Sequence, residues 1–493
     1  MILLAIILIA AASLALIAVS RTNRQMNTVC IAEAALFLSI AVWLLLSGQV
    51  PISSFVIGSQ YFFIDHLGLF EVLISAIIFL LAAIYARGYV EGLIETHELG
   101  KGSLKLFYGA WAFLLTVILL AFFSDNLALF WIFAELTTIV SAMLVAILYA
   151  RDNIDAAIKY IFIASVSMLF SFVGLVFLFE ISRSVSGEGT LNWTVLVQQA
   201  HLFPTGMMIA AFALVFIGFA AKSGIFPFHT WLPEAHARAP SAVSAILSGV
   251  LLNVGIYGII RVFAIVHQTP AVTTLSPLLL VFGLLTVGIA ALSMLPQKNL
   301  KKLIAFSSVE NMGILLIGLA IATPLAIFWV LFHIMAHAFT KASLFFSAGI
   351  LHRQYHSTLS ADAVDDIRDV FRLQPLAAWG VILGGLAIIG MPLFPIFFSK
   401  LFILMQLGAV SLPALIILLF LLFITAVSLG YYVISTFTQV SRPETRDDIV
   451  AYDTPLGMKV PVIILLILMV FLGTVFTTGE ITFLDRIVAE LMF

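Results

Sequence analysis

The sequence predicts an all-α, polytopic membrane protein with about 14 transmembrane helices. The first observation behind this prediction is composition: of the 493 residues, 63% are hydrophobic and only 10% are charged. A soluble domain carries roughly a quarter charged residues. The second observation is run length, because a spanning helix needs about 20 apolar residues and such runs follow one another almost from end to end. No soluble domain is expected in this chain.

The apolar runs define fourteen predicted spans. The first begins at Met1 and stays apolar for longer than the core of a signal peptide, so we expect it to be retained as a helix. The twelfth run is broken. The predicted spans are 2–20, 28–47, 67–86, 106–123, 126–149, 157–180, 206–227, 240–262, 276–296, 303–320, 324–350, 375–407, 413–436 and 459–477.

The basic residues predict an orientation. If the N-terminus is external, the odd-numbered loops hold most of the Lys and Arg, and the outside keeps only Arg183, Arg261 and Arg486. Cytoplasmic loops of membrane proteins are enriched in Lys and Arg. We therefore expect a multi-pass protein of the cell (inner or plasma) membrane with both termini outside. The loops expected in the cytoplasm include 87–105, 151–156 and 440–458.

Proline and glycine interrupt two of the predicted spans. One break lies in residues 222–233 (Lys-Ser-Gly-Ile-Phe-Pro-Phe-His-Thr-Trp-Leu-Pro) and the other in residues 390–400 (Gly-Met-Pro-Leu-Phe-Pro-Ile-Phe-Phe-Ser-Lys), so each has a lysine at its edge. Because lipid cannot satisfy the freed backbone groups, each break must be buried in protein or line a wet cavity. Paired broken helices are typical of inverted-repeat transporters. An ordinary proline kink in a packed bundle is the alternative.

Ionisable residues inside the spans are the candidate functional groups, because placing one at mid-bilayer costs about 2.5–3.5 kcal/mol on insertion scales. Glu135 in the fifth span has no cation three or four residues away on its own helix. Its partner is expected on another helix, and Lys222 is the obvious candidate. Glu310 in the tenth span is a further candidate. An ion pair that only holds two helices together is the alternative for Glu135 and Lys222.

The eleventh span carries a polar stripe. His333, His337 and Lys341 are spaced four residues apart, which places them on one helix face over about 12 Å. Histidine titrates near neutral pH, so the stripe suits a proton relay. Zinc is disfavoured because no cysteine or carboxylate accompanies the stripe. A bis-histidine haem would take its second ligand from His229 or His236, and histidines that simply pack in the core remain the last alternative.

The composition also limits the chemistry of the chain. It has one cysteine, Cys30, which lies in an apolar run. A single cysteine cannot form a thiolate-bound iron–sulfur cluster, a disulfide framework or a haem attachment motif. The formal net charge of −2 argues against nucleic acid as a partner. We therefore expect no bound cofactor, no resident metal and no catalytic redox site in this chain.

Two neighbouring segments resemble a known signature: residues 218–222 (Gly-Phe-Ala-Ala-Lys) and 228–241 (Phe-His-Thr-Trp-Leu-Pro-Glu-Ala-His-Ala-Arg-Ala-Pro-Ser). They look like the antiporter-like subunits, a family that covers the large proton-pumping subunits of respiratory complex I, the Mrp cation/proton antiporters and the membrane-bound energy-converting hydrogenases. The resemblance implies a fourteen-helix fold with two inverted five-helix repeats. It also implies proton transfer along a central chain of charged residues. The other segments that match, in the same order, are those around Glu135, residues 306–308, residues 337–341 and Lys400.

The resemblance implies roles for individual residues. Glu135 and Lys222 would pair between helices 5 and 7, His333 and His337 would form the connecting relay, and Lys400 would be the terminal exchange residue. The predicted translocation residues are Glu135, Lys222, His229, His236, Glu310, His333, His337, Lys341 and Lys400.

The resemblance also implies a division of the chain into four parts. Residues 1–105 would form an N-terminal three-helix segment, and residues 437–493 would supply a C-terminal loop and helix 14. Between them, residues 106–265 would be the first repeat, helices 4–8, and residues 266–436 the second, inverted repeat, helices 9–13.

One position departs from the family pattern. Many relatives have a lysine in helix 8 just before a Gly-x-Tyr-Gly sequence, here residues 255–258, whereas this chain has Asn253. Asparagine cannot carry a proton by ionising, so either water bridges this point or the relay is incomplete. Together with residues 308–311, Asn253 looks most like the hydrogenase-4 and formate-hydrogenlyase type of subunit.

The sequence thus predicts a subunit that moves protons or sodium ions in a larger energy-converting oxidoreductase complex. Its expected partners are other membrane subunits, the lipid bilayer and the transported ions. A stand-alone or Mrp-type cation/proton antiporter subunit is the alternative.

Overall fold

The chain is helical through almost all of the residues that the structure describes. The structure is a computed structural model, and it describes residues 2–53, 60–148, 150–355, 367–439 and 450–492. We number the helices by the span that they form. They are α1 Ile2–Val19, α2 Asn23–Ser47, α3 His66–Glu95, α4 Leu104–Phe122, α5 Leu127–Val145, α6 Arg151–Ser186, α7a Thr205–Lys222, α7b Trp231–Arg238, α8 Ser241–His267, α9 Val272–Met294, α10 Leu300–Ile321, α11 Pro324–Tyr355, α12a Pro375–Ile389, α12b Pro395–Val410, α13 Leu412–Phe437, α14 Leu456–Thr474 and α15 Thr478–Met492.

The number of spans agrees with the sequence prediction. In the described part of the chain, 13 helices are long and apolar enough to cross a membrane. The two halves of α12 have 15 and 16 residues, so each is shorter than the roughly 20 residues that a span needs, but together they cover the predicted twelfth span. The all-α fold is confirmed, and the chain is a multi-pass membrane protein.

Short polar residues fix where several helices begin. The Thr22 side chain accepts a hydrogen bond from the backbone amide of Gln25, and the Gln25 side chain accepts one from the backbone amide of Thr22, which forms a capping box at the start of α2. At the start of α3, the Asp65 carboxylate accepts from the Gly68 amide at 2.8 Å. Such caps satisfy amide groups that the first turn of a helix leaves without an intrahelical partner.

Five helices form most of the core. Every residue of an 18-residue stretch of α8 is buried, and α3, α4, α10 and α11 are buried over most of their length, whereas less than a third of the corresponding stretches of α1 and α13 is buried. The ionisable residues of α8, α10 and α11 are therefore enclosed by protein rather than by lipid.

Both predicted breaks occur, and each is only partly enclosed by protein: Gly224 and Ile225 are buried, whereas Met391 and Leu393 are exposed. After α7a the chain turns at residues 223–227, where the amide of Ile225 donates to the carbonyl of Ala220 at 2.9 Å and the amide of Phe226 donates to the Thr286 hydroxyl of α9 at 3.2 Å. The break in α12 turns at Gly390, whose φ of +93° is readily adopted only by glycine. The freed backbone groups thus find partners inside the protein, as a break at membrane depth requires.

The helix α15 was not predicted from the sequence. At 15 residues it is too short to span the bilayer, and it carries acidic residues. Its buried face includes Leu484 and Leu491, and its Glu490 carboxylate lies 2.5 Å from the ring of His66 at the start of α3. The segment after the last span is therefore folded back onto the bundle.

Candidate ion-translocation site

Lys400 and Glu310 form a buried ion pair at the break in α12. The Lys400 ammonium lies 2.9 Å from the Glu310 carboxylate of α10, and the two side chains are 6% and 0% exposed. The ammonium also donates to the carbonyl of Ile388, in the last turn of α12a, at 2.9 Å. Burying a charge is costly unless it is paired and hydrogen-bonded, and here one lysine side chain joins both halves of the broken helix to the carboxylate.

The pair continues into a hydrogen-bonded network. The Asn311 amide donates to the second oxygen of Glu310 at 2.6 Å, and the Asn311 carbonyl oxygen lies 3.0 Å from Nε2 of His333 on α11. The other ring nitrogen, Nδ1, lies 2.7 Å from the hydroxyl of Ser399, which directly precedes Lys400. Buried contacts therefore run from the Lys400 ammonium of α12b to the His333 ring, and from that ring back to Ser399 of α12b.

This network can hold His333 in either protonation state. The Ser399 hydroxyl has two possible acceptors, Nδ1 of His333 and the carbonyl of Ile396, 3.0 Å away, but it has only one proton to donate. A neutral ring with its proton on Nε2 accepts from Ser399. A protonated ring donates to Ser399, which then donates to Ile396. Rotation of one hydroxyl is enough to exchange the two arrangements.

The predicted stripe of α11 lies in the protein interior. The rings of His333 and His337 are 6.5 Å apart and nearly parallel, and the Lys341 ammonium donates to the carbonyl of Ile304 at 2.8 Å and to the Ser307 hydroxyl. Neither ring nitrogen of His337 has a hydrogen-bond partner among the described residues. Buried polar groups are normally bonded to protein or to ordered water, and the role of His337 in a relay stays a prediction.

The first half of the chain is arranged differently. The Lys222 ammonium donates to the Thr138 hydroxyl of α5 at 2.8 Å, and the Glu135 carboxylate accepts from the Ser165 hydroxyl of α6. Among the described residues, no ion pair within 4.0 Å joins Glu135 to Lys222. Glu135 lies one helical turn before Thr138 on α5. The pairing of Glu135 with Lys222 stays a prediction.

The two histidines of the signature segment, His229 and His236, lie in and just after the first break, and neither forms an ion pair among the described residues. His236 is buried and stacks on Phe345 of α11 with 4.8 Å between ring centroids. Neither of its ring nitrogens, nor Nδ1 of His229, has a partner in the part of the chain that the structure describes. Within that part, no three His, Cys, Asp or Glu side chains are grouped so that they could hold a metal ion.

Several neutral residues that hold the charged groups were not predicted as site residues: Thr138, Ser165, Ser307 and Ser399. Serine and threonine are frequent in these spans, so residue type alone gives no signal. Sequence position does give a signal for two of them: Ser399 directly precedes Lys400, and Thr138 lies one turn after Glu135.

Two buried carboxyl groups were also missed. Glu33 of α2 accepts from the Thr116 hydroxyl of α4 at 3.3 Å, and Glu71 of α3 accepts from the Asn253 amide of α8 at 3.2 Å. Both residues are at most 2% exposed. The available signal was a single glutamate in an otherwise apolar span, the same signal that identified Glu135.

The fold and the buried charges together define a polytopic ion-translocation subunit, and the comparison with known families agrees. The chain belongs to the transmembrane family described as NADH:quinone oxidoreductase/Mrp antiporter, which matches residues 124–426. That range contains all nine translocation residues that the sequence predicts.

Among similar proteins is a hydrogenase-4 component F homolog of Methylacidiphilum infernorum (isolate V4). It is 33% identical over 392 residues, which cover 79% of this chain and 80% of that protein. Hydrogenase-4 component B of Escherichia coli (strain K12) is 28% identical over 340 residues, covering 66% of this chain and 48% of that protein. The likeness to hydrogenase-4 components agrees with the type inferred from the sequence.

Solved structures share the fold over nearly the whole chain. A chain of the membrane-bound sulfane sulfur reductase, an archaeal respiratory membrane complex, has a TM-score of 0.85 at 21% identity and covers 99% of this chain and 97% of that one. A chain of respiratory complex I from Thermus thermophilus has a TM-score of 0.81 at 19% identity, with 100% of both chains covered. A chain of the Mrp complex from Dietzia sp. DQ12-45-1b has a TM-score of 0.81 at 18% identity, covering 99% and 97%.

Proposed function

We propose that this chain is the ion-translocating, antiporter-like membrane subunit of an energy-converting oxidoreductase complex of the hydrogenase or complex I type. The observation that carries the proposal is the buried network from Lys400 through Glu310 and Asn311 to His333, located at a broken helix. The similarity to hydrogenase-4 components supports a hydrogenase-like complex. In this proposal the electrons move in partner subunits.

The proposed transfer step uses the two arrangements of the ion pair. An ammonium facing a carboxylate and an amine facing a carboxylic acid differ by one proton moved along the 2.9 Å contact between Lys400 and Glu310. A displacement of either side chain changes the relative free energy of the two arrangements, because charged groups are stable in the interior only while they are paired. A movement in a partner subunit would therefore load or release a proton at Lys400, and water would carry the proton past Asn311, which cannot ionise, to His333 as the next carrier.

The same order of charged helices in the two halves supports the proposed division of the chain. In the proposed first repeat, residues 106–265, α5 carries Glu135 and broken α7 carries Lys222. In the proposed second repeat, residues 266–436, α10 carries Glu310 and broken α12 carries Lys400. We propose that these are equivalent sites in two inverted repeats, flanked by residues 1–105 and 437–493.

A copurification experiment tests the proposed function. The chain is extracted in mild detergent, its partners are identified by mass spectrometry, and the assembly is reconstituted in vesicles with a pH-sensitive dye. Addition of H₂, formate or NADH, whichever the partners oxidise, should produce acidification that a protonophore abolishes. Repeating the assay without sodium separates proton from sodium transport. Cation exchange by the single purified chain in liposomes would instead support the stand-alone antiporter.

The proposed orientation predicts a labelling pattern. A single cysteine introduced at Glu95, at the end of α3, should react with a membrane-impermeant maleimide only after the cells are opened, because the basic residues of segment 87–105 favour a cytoplasmic location. The equivalent probe at Thr445 lies outside the described residues. Cys30 is buried and serves as the unlabelled background, and labelling at Glu95 in intact cells would contradict the proposed topology.

The stripe of α11 predicts a defect in transport without a defect in assembly. The His337→Ala and His333→Ala variants should assemble normally but translocate about 100-fold or more slowly, the scale of a lost proton-transfer group, because the gap left in the stripe exceeds the 6.5 Å between the rings. Vesicle acidification per electron transferred measures the effect. His201→Ala, at an exposed position, is the matched control, and wild-type rates in both stripe variants would mean that these rings only pack.

A further inference from the structure

Glu71 of α3 contacts α8 at the one position where the sequence departs from the family pattern. Its carboxylate accepts a hydrogen bond from the Asn253 amide at 3.2 Å, and the same amide group donates to the carbonyl of Gly249 at 3.3 Å. Both side chains are completely buried. A protonatable group therefore adjoins the non-ionisable residue of α8.

The backbone of α8 is irregular beside this contact. Residues 247–251 form a π-helical turn, a feature that often marks functional sites. A Cβ atom on Gly249 would lie 2.9 Å from Cδ1 of Ile78 on α3 and 3.1 Å from the carbonyl oxygen of Ala338 on α11. The turn is thus held between α3 and the segment of α11 next to His337, so Glu71 is on the side of α8 that faces the N-terminal helices.

Three buried oxygen atoms at this contact have no hydrogen-bond partner among the described residues: Oε1 of Glu71, Oδ1 of Asn253 and the hydroxyl of Ser75. Ser75 lies one turn after Glu71, on the same face of α3. Buried polar atoms in proteins are normally satisfied by protein or by ordered water. Their grouping indicates a hydrated contact between α3 and α8 rather than a dry packing surface.

We propose that Glu71 is a proton-carrying residue of the translocation path, which binds and releases a proton beside Asn253. This inference rests on the proposed function and names a further residue for it. Asn253 suits the role because its side chain has both a donor and an acceptor. The amide can donate to the carboxylate, and its carbonyl oxygen can accept from the protonated acid, so a single neighbour satisfies both states of Glu71.

The lack of a cation near Glu71 favours this role over a structural one. No Lys, Arg or His nitrogen in the described part of the chain lies within 4.0 Å of its carboxylate. A buried carboxylate without a partner is costly, whereas the neutral acid is tolerated and has a proton to give. Glu310 differs because its charge is compensated by Lys400, so the two carboxyl groups suit different steps.

The experiment compares isosteric variants in the reconstituted complex. Glu71→Gln retains an acceptor for the Asn253 amide but cannot carry a proton, and it should reduce donor-driven proton transport by at least about tenfold. Glu71→Asp should restore most of the transport. Glu33→Gln is the matched control, because Glu33 is an equally buried carboxyl group without a cation that contacts α4 instead of α8. Infrared difference spectra of the wild type should show a protonated carboxyl band that Glu71→Gln removes and Glu71→Asp shifts.

Two results would overturn the inference: full transport in Glu71→Gln, or an equal loss in Glu33→Gln, which would indicate a general packing defect. The proposed function can be judged separately. If the wild-type complex moves no ions, the proposed function fails. If the wild type transports and Lys400→Arg does not, while Glu71→Gln transports normally, only the role of Glu71 is lost.

Discussion

Replacement of Lys400 by arginine is expected to leave the complex assembled but to abolish coupled ion transport, with a loss of about 100-fold or more. Arginine keeps the positive charge and can still pair with Glu310, but its guanidinium does not release a proton at accessible pH. Lys400→Arg therefore separates the two roles that the geometry gives to Lys400, as a counter-ion and as a proton carrier. Donor-driven acidification of vesicles measures transport, and copurification measures assembly.

Lys400→Met tests the counter-ion role. It leaves Glu310 as a buried charge without its partner, and breaking a buried pair in this way costs about 3–5 kcal/mol, so reduced assembly is expected. Adding Glu310→Gln to Lys400→Met removes the stranded charge and should restore assembly without transport. The control is Lys302→Arg, at a partly exposed lysine that lies 3.4 Å from Glu234. Wild-type transport by Lys400→Arg would contradict a proton-carrying role for Lys400.

Periodicity explains why the sequence was sufficient to predict part of this site. The four-residue spacing of His333, His337 and Lys341 places them on one face of any helix, and the structure shows all three in the interior. The breaks were predictable for a similar reason, because clustered proline and glycine remove or weaken helical hydrogen bonds locally, although a single proline such as Pro277 or Pro461 stays inside a helix. Local rules of this kind do not depend on how the helices pack.

Contacts between helices could not be predicted from the sequence and became visible only in the three-dimensional fold. Nothing in the local sequence indicates that Asn311 joins Glu310 to His333, or that Ser399 reaches the other nitrogen of the same ring. The contact between Glu71 and Asn253 connects residues 182 positions apart, and only the packing of α3 against α8 creates it. The helix α15 was missed because its 15 residues satisfy neither the length nor the apolarity expected of a span.

The predicted coupling between Glu135 and Lys222 can be stated more specifically once the geometry is known. Lys222 donates to Thr138 rather than directly to Glu135, so we expect the two charges to be coupled through the hydroxyl and the electrostatic field. Glu135→Gln and Lys222→Met should each abolish transport. Each substitution leaves the remaining residue as an uncompensated charge within the membrane, where isolated charges are costly. The double variant should lose little more than the worse single variant, since residues that act as a unit are not additive.

The measurement is a double-mutant cycle on proton transfer in reconstituted vesicles, with assembly determined separately for every variant. Thr138→Val adds a third arm, because it removes the hydroxyl between the two charges and keeps the volume of the side chain. If the hydroxyl links them, Thr138→Val should weaken the coupling that the cycle measures, whereas Ser141→Ala, one turn further along α5, should leave it unchanged. Losses that simply add would show that Glu135 and Lys222 act independently, and the proposed equivalence with the Glu310–Lys400 pair would then fail for the first repeat.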